Sequence, residues 1–195
     1  LDSNNALVNG LGIPDLAQQI TIYLGGLPSV KALDIDDFDW EHLDPESRTS
    51  FLSCFSAIET LSIRSVHVES LLSVLQIICA FPLLQGFTLH NIGWNLTEDS
   101  IFAIDKISPP PHLRTLRLSE CYKRDILDWL ITREPMPRIE CLGLGIVFSA
   151  DIQSIGRYLR QDGSFIRYLT LGFSDMNAGG DAGMYFFSFS LHIVG

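Results

Sequence analysis

The densest cluster of reactive side chains is acidic: Asp34, Asp36, Asp37, Asp39, Glu41, Asp44 and Glu46 fall in one short stretch. Alternating carboxylates are what a calcium loop uses, but such a loop also needs glycine at its sixth position and glutamate at its twelfth. Counted from Asp34, those positions hold Asp39 and Pro45, so the template fails. The cluster reads as the solvated acidic edge of a strand or as a patch for a partner. The five histidines, His42, His67, His90, His112 and His192, include no pair at the helix-face spacing that zinc uses. No G-x-S-x-G, H-E-x-x-H or phosphate loop occurs. Gly143-Leu144-Gly145 starts like a dinucleotide fingerprint, but Phe148 stands where the third glycine belongs. Cys54, Cys79, Cys121 and Cys141 show no C-x-x-C spacing and sit inside apolar patterns, as free buried thiols of a reducing, intracellular compartment do. Neither an enzyme nor a cofactor or metal site is expected.

What remains is binding chemistry, carried by polar residues set between apolar ones. Leu113, Leu116, Leu118 and Cys121 define the form Φ-x-x-Φ-x-Φ-x-x-Φ. With 47% of residues apolar, four filled slots arise by chance at roughly one start in twenty, so recurrence is the evidence. The form recurs at Val30-Leu33-Ile35-Phe38, Ile58-Leu61-Ile63-Val66, Leu84-Phe87-Leu89-Ile92, Ile139-Leu142-Leu144-Val147 and Ile166-Leu169-Leu171, where Ser174 breaks the last slot. Second slots are spaced by 28, 26, 29, 26 and 27 residues. A period in the high twenties is similar to that of a leucine-rich repeat. The Φ-x-Φ centre puts two apolar side chains on one face of a short strand. Such a strand is expected to stack on its neighbours in a parallel sheet.

The returns between strands carry helix signals. Pro14-Asp15 opens a helix ended by Gly25-Gly26, and Asp44-Pro45-Glu46 opens one with Phe51, Leu52 and Phe55 inside. Glu69–Ala80 is apolar over a wide arc, Thr97 caps a helix reaching Ile107, and Asp125–Thr132 presents Ile126, Leu127, Trp129 and Leu130. Ser149 caps Ala150–Gln161, with Ile152, Ile155, Tyr158 and Leu159 as its buried face. Trp40 and Trp94, each two residues past a repeat, are expected to fill space between strands and helices. After a Gly-rich stretch, Phe187, Phe189, Leu191 and Ile193 alternate with polar residues; within 184–193 they form a candidate seventh strand, 22 residues beyond Leu169.

The expected fold class is α/β: a solenoid arc with a parallel sheet on its concave face and helices on its convex face. Residues 1–195 form one domain of about six repeats and an irregular tail, 175–195, and both ends are expected to continue into a longer chain, since neither offers a polar capping unit. The outward strand slots then form two rows. One reads Asp34, Ser62, Thr88, Arg117, Gly143, Thr170, and the next Asp36, Arg64, His90, Ser119, Gly145, Gly172. Asp34, Asp36, Arg64, His90, Arg117 and Ser119 are the candidate partner-binding residues: acid at one end, base in the middle, nearly bare backbone beyond. The face reads either as a recognition surface or as a plain solvated sheet. A net charge of −10 argues against nucleic acid and anionic membrane surfaces. The uncharged run Leu71–Leu89 is broken by Pro82 and Gly86, so no membrane span is expected.

The junctions Leu27-Pro28-Ser29-Val30, Phe81-Pro82-Leu83-Leu84 and Met136-Pro137-Arg138-Ile139, with Ile92-Gly93-Trp94 beyond a strand, complete a longer pattern. From Pro14 to Phe173 it resembles the leucine-rich-repeat regions of F-box proteins, most of all the divergent F-box-like families of mushroom-forming fungi. The resemblance implies a protein-interaction module, the substrate-recognition region of a ubiquitin-ligase component. Its F-box would lie before Leu1 and engage a cullin-RING ligase through an adaptor. The alternative is a repeat scaffold or inhibitor unrelated to ubiquitin transfer.

Overall fold

The computed structural model describes residues 29–95, 103–174 and 186–192. The helices expected at Pro14–Gly25 and over most of Thr97–Ile107 lie outside them. The chain is α/β, with a seven-stranded sheet in sequential order. Six strands are parallel: β1 Ala32–Asp36, β2 Thr60–Arg64, β3 Gly86–Ile92, β4 Thr115–Cys121, β5 Cys141–Ile146 and β6 Tyr168–Ser174. The seventh, β7 Phe186–His192, is antiparallel to β6, with Leu191 opposite Leu169. Alternation within 184–193 indicates a strand but not its direction. Only 11 residues separate β6 from β7, short of the dozen or more that a parallel crossover takes, whereas an antiparallel neighbour can be joined by a turn.

The helices are α1 Pro45–Ser53, α2 Leu71–Cys79, α3 Lys123–Ile131 and α4 Ile152–Asp162. Asp44 caps α1, accepting from the Glu46 and Ser47 amides at 3.0 and 2.9 Å, with Pro45 inside the first turn. Hydrogen bonds from Ser47, the side-chain one foremost, hold its carboxyl below the ordinary value. Ser70 caps α2 through the Ser73 amide. Two boundaries differ from the sequence reading. α3 begins at Lys123, two residues early, and Ser149–Asp151 forms a separate 3-10 turn before α4. That shift leaves Ile152 exposed, whereas Ile155 and Tyr158 are buried as expected.

One core joins the two layers. Leu61, Ile63, Phe87, Leu89, Leu116, Leu118, Leu142 and Leu144 project from the sheet into contact with Val74, Leu75, Ile78, Ile126, Leu127, Leu130 and Tyr158. Trp40 and Trp94 are buried in it, at the space-filling positions expected of them. Each fully buried aliphatic side chain contributes about 1.5–3 kcal/mol against exposure. Among the described residues, the opposite face of the sheet holds no core residue.

A backbone device sets the register. Each of five carbonyls accepts two successive amides of the next repeat. Lys31 O takes Glu59 and Thr60 N at 2.8 and 2.9 Å, and Glu59 O takes Gln85 and Gly86 N at 2.7 and 3.0 Å. Gln85, Arg114 and Glu140 do the same for Arg114–Thr115, Glu140–Cys141 and Arg167–Tyr168. No extra residue is inserted, because the offset at each shared carbonyl continues unchanged into the ladder beyond it, so the two bonds pin where each strand starts. The side chains of this column add charge pairs, Lys31–Glu59 and Arg114–Glu140, both at 2.7 Å. Being exposed, they give about 0–1 kcal/mol each and serve register more than stability. At the strand ends, Asp37, Ser65, Asn91 and Glu120 all adopt φ between 49° and 53°, the first two just past β1 and β2 and the others at the penultimate residues of β3 and β4.

Tyr158 and Asp162 form a polar pair inside the core. Tyr158 Oη donates to Asp162 Oδ2 at 3.1 Å, and Asp162 is 2% exposed. Burial raises the Asp162 pKa above the ordinary 3.8, against the lowering by the Tyr158 and Ile139 hydrogen bonds and by Arg138. The fold therefore binds this proton more tightly than the unfolded chain does. Its stabilising contribution is fully present at low pH and is lost as pH rises from 3.8 through the raised folded value. Asp162→Asn, which keeps an acceptor and never ionises, should gain stability over the wild type as pH rises above about 4. Urea midpoints compared from pH 4 to 8 test this; a difference that stays constant with pH would contradict it.

Candidate functional site

Strand pleating puts alternate residues on the face away from the helices, and parallel register lines them up across strands. Asp34, Ser62, Thr88, Arg117, Gly143 and Thr170 form one continuous row, each the register partner of the next. Asp36, Arg64, His90 and Ser119 form the second. All six candidate residues therefore lie on one face, on four adjacent strands. Asp34, Asp36, Arg64 and Arg117 are exposed; His90 and Ser119 are half-buried.

The second row does not continue as expected. The β4–β5 ladder ends at Arg117 and Gly143, and Gly172 pairs with Ile146 rather than Gly145. Gly145 takes φ +50°, so β5 makes its left-handed step one residue earlier than the four preceding repeats. A β-carbon on Gly145 would lie 2.7 Å from Ser119 Cβ, and one on Gly172 would lie 2.8 Å from Gly145 O. The bare end of the row is thus a place where strands approach closely, and its glycines are structural.

Neighbours in the rows interact. Arg64 Nε lies 3.5 Å from Asp36 Oδ2, and His90 Nδ1 lies 2.8 Å from Ser119 Oγ. The second contact is an imidazole–hydroxyl pair that the sequence reading did not find, because its members are 29 residues apart. Nucleophilic catalysis also needs a group orienting the imidazole and donors for an oxyanion. Among the described residues no carboxylate is hydrogen-bonded to His90. The pair fixes two side chains on the face.

The acidic cluster disperses into local roles. Asp39 accepts from the Glu41 amide at 3.0 Å and pairs with His42 at 2.8 Å. Asp44 caps α1, and Glu41 binds Arg48 at 2.7 Å and the Glu69 amide at 3.1 Å. Among the described residues no three His, Cys, Asp or Glu side chains gather as metal ligands do. All four cysteines are free; Cys54 and Cys121 are buried, Cys79 and Cys141 half-buried. Burial pushes the Cys79 and Cys121 thiols up to about 12, which keeps them protonated and unreactive near neutral pH.

The hollows lined by described residues include three of note. One of about 650 Å³ lies between Pro109–Pro111 and Arg133–Arg138. Its cations are engaged: Arg114 with Glu140, Arg133 with Asp105, Arg138 over the Phe165 ring. A second, of about 660 Å³, is lined by His67, Glu69, Trp94 and Tyr122 past the strand ends. The third, about 370 Å³, lies on the outward strand face beside Arg117 and Gly143. No helix among the described residues is long and apolar enough to cross a membrane. Neither protein-family models nor curated proteins give a match to this chain.

Proposed function

We propose that the chain is a leucine-rich-repeat solenoid, an arc with strands on its concave face and helices on its convex face. It works without catalysis, binding a protein partner through the outward strand side chains. The observation that supports this reading is the pair of in-register polar rows, with six solvated or half-buried functional groups on four adjacent strands and no core residue among them. Specificity on such a surface comes from complementary charge: cationic partner groups over Asp34 and Asp36, anionic ones over Arg64 and Arg117. The repeat-plus-proline motif, as in Phe81-Pro82-Leu83-Leu84, supports the narrower assignment to the substrate-recognition region of an intracellular F-box-like ubiquitin-ligase component.

Affinity purification of the full-length protein tests both levels. Arg64→Ala with Arg117→Ala should weaken capture of the physiological partner about 10- to 100-fold, since two charge-assisted contacts are removed. Lys31→Gln, at the sheet's edge column, should leave it unchanged. Equal capture by the double variant would remove the face as the recognition surface. Co-purification of a cullin adaptor supports the ligase assignment; a captured partner without any adaptor leaves only the scaffold or inhibitor role.

A further inference from the structure

Among the candidate residues, the three basic ones are not equivalent. Arg64 leans toward Asp36, and His90 is bonded to Ser119. Arg117 is exposed and, among the described residues, forms no ion pair. Its register partners are Thr88 on β3 and Gly143 on β5. Because Gly143 has no side chain, the hollow of about 370 Å³ opens beside the guanidinium, with Tyr168, Thr170 and Leu191 on its far side. A β-carbon at 143 would lie 3.3 Å from Arg117 Cγ, so even a small side chain would press on the arginine stem and begin to fill the space.

We propose that this notch receives the carboxylate side chain of an Asp or Glu from the partner protein, paired with Arg117 over Gly143. The inference rests on the outward face being the recognition surface. A planar guanidinium presents two parallel N–H donors that match one carboxylate. The notch walls shield that pair from water on several sides, which strengthens it relative to a flat surface. Recognition of phosphorylated residues uses clusters of arginine, whereas Arg117 is the one cation among the described residues lining this hollow, on a chain of net charge −10. A carboxylate needs only the one fork.

Panning a random linear-peptide display library against the whole chain tests the proposal. Selected peptides should carry an Asp or Glu whose change to Asn or Gln weakens binding about tenfold. Arg117→Gln should abolish the difference between the acidic peptide and its amide. Gly143→Val, which keeps the charge and plugs the hollow, should weaken the acidic peptide comparably. Arg117 is exposed, so its variant carries the test even if Gly143→Val does not fold. Peptides that depend on Arg64 and Asp36 but not on Arg117 would keep the recognition face and overturn the notch. A phosphoserine peptide outcompeting its glutamate counterpart would also overturn it. Failure of any peptide to map to the outward face would count against both readings.

Discussion

Gly145→Val is expected to destabilise the protein by about 3–5 kcal/mol, the sum of a left-handed backbone cost and a steric one. Gly145 sits at φ +50°, where a β-branched side chain is strained whatever the space. The added Cβ would also lie 2.7 Å from Ser119 Cβ and 3.0 Å from Ser119 Cα, and the latter cannot rotate away. Gly172→Ala tests the same close approach without a φ effect. Its Cβ would lie 2.8 Å from Gly145 O and 3.0 Å from Gly145 C, so a loss of about 1–3 kcal/mol is expected. Gly86→Ala is the control. Its nearest atoms, on Thr60 and Thr115, are 3.7–3.8 Å away, and the change should stay within about 0.5 kcal/mol. Urea unfolding at constant m-value measures all three. Since a domain of this kind is stable by about 5–15 kcal/mol in total, Gly145→Val would remove a large share. Equal midpoints for Gly145→Val and Gly86→Ala would mean that Gly145 does not approach Ser119 of β4 this closely.

Lys123→Ala is expected to cost about 3–5 kcal/mol, more than any surface charge could. The sequence places Lys123 two residues past its repeat, the slot filled by Trp40, Val68 and Trp94 in the earlier ones. Lys123 follows the same inward path and is fully buried. Its Nζ lies 3.9 Å from Asp151 Oδ2, 3.5 Å from Cys121 O and 5.4 Å from the Phe148 ring centroid. Asp151 is 5% exposed and also accepts from the Phe148 amide at 3.2 Å. Truncation would leave a cavity and a buried carboxylate without its cation. Lys123→Met keeps the volume and should lose less, about 1–3 kcal/mol. Lys123→Met with Asp151→Asn removes both charges, and the pair should recover most of that loss, because the cost lies in the isolated charge. Strictly additive single and double variants would show that the two groups do not interact.

The apolar half of the structure was legible from spacing. The slots at Leu61, Ile63, Phe87, Leu89, Leu116, Leu118, Leu142 and Leu144 are all buried, and their strands pair in parallel with the register that the slots imply. The cap Asp44 was legible for the same reason, since it acts within one turn of its own helix. The start of α3 at Lys123 was not, because a lysine at the head of a helix and in a core slot violates both local rules. It is tolerated through Asp151, which lies on the following return.

On the outward face, membership came from sequence and pairing from the fold. Alternation alone placed Asp34, Asp36, Arg64, His90, Arg117 and Ser119 together, because side-chain direction in a strand depends only on odd or even position. Which of them bond to each other depends on distances between residues a full repeat apart. Asp36 meets Arg64, and His90 meets Ser119, only after adjacent strands come within about 4.8 Å. The same holds for the column that runs from Lys31 to Arg167, whose opposite charges have no meaning until the repeats stack.

By itself, the sequence determined the α/β alternation, the order of the parallel strands and the polar rows, since each follows from a period shorter than one repeat or from its recurrence. Only the tertiary structure decided that β7 runs antiparallel, that β5 bulges at Gly145 and that Arg117, which forms no ion pair among the described residues, stands beside an open notch. The physical reason is one of range. Periodicity records what each side chain does relative to its own backbone, whereas strand direction, bulges and vacant partners are set by sterics and charge between chain segments that meet only on folding.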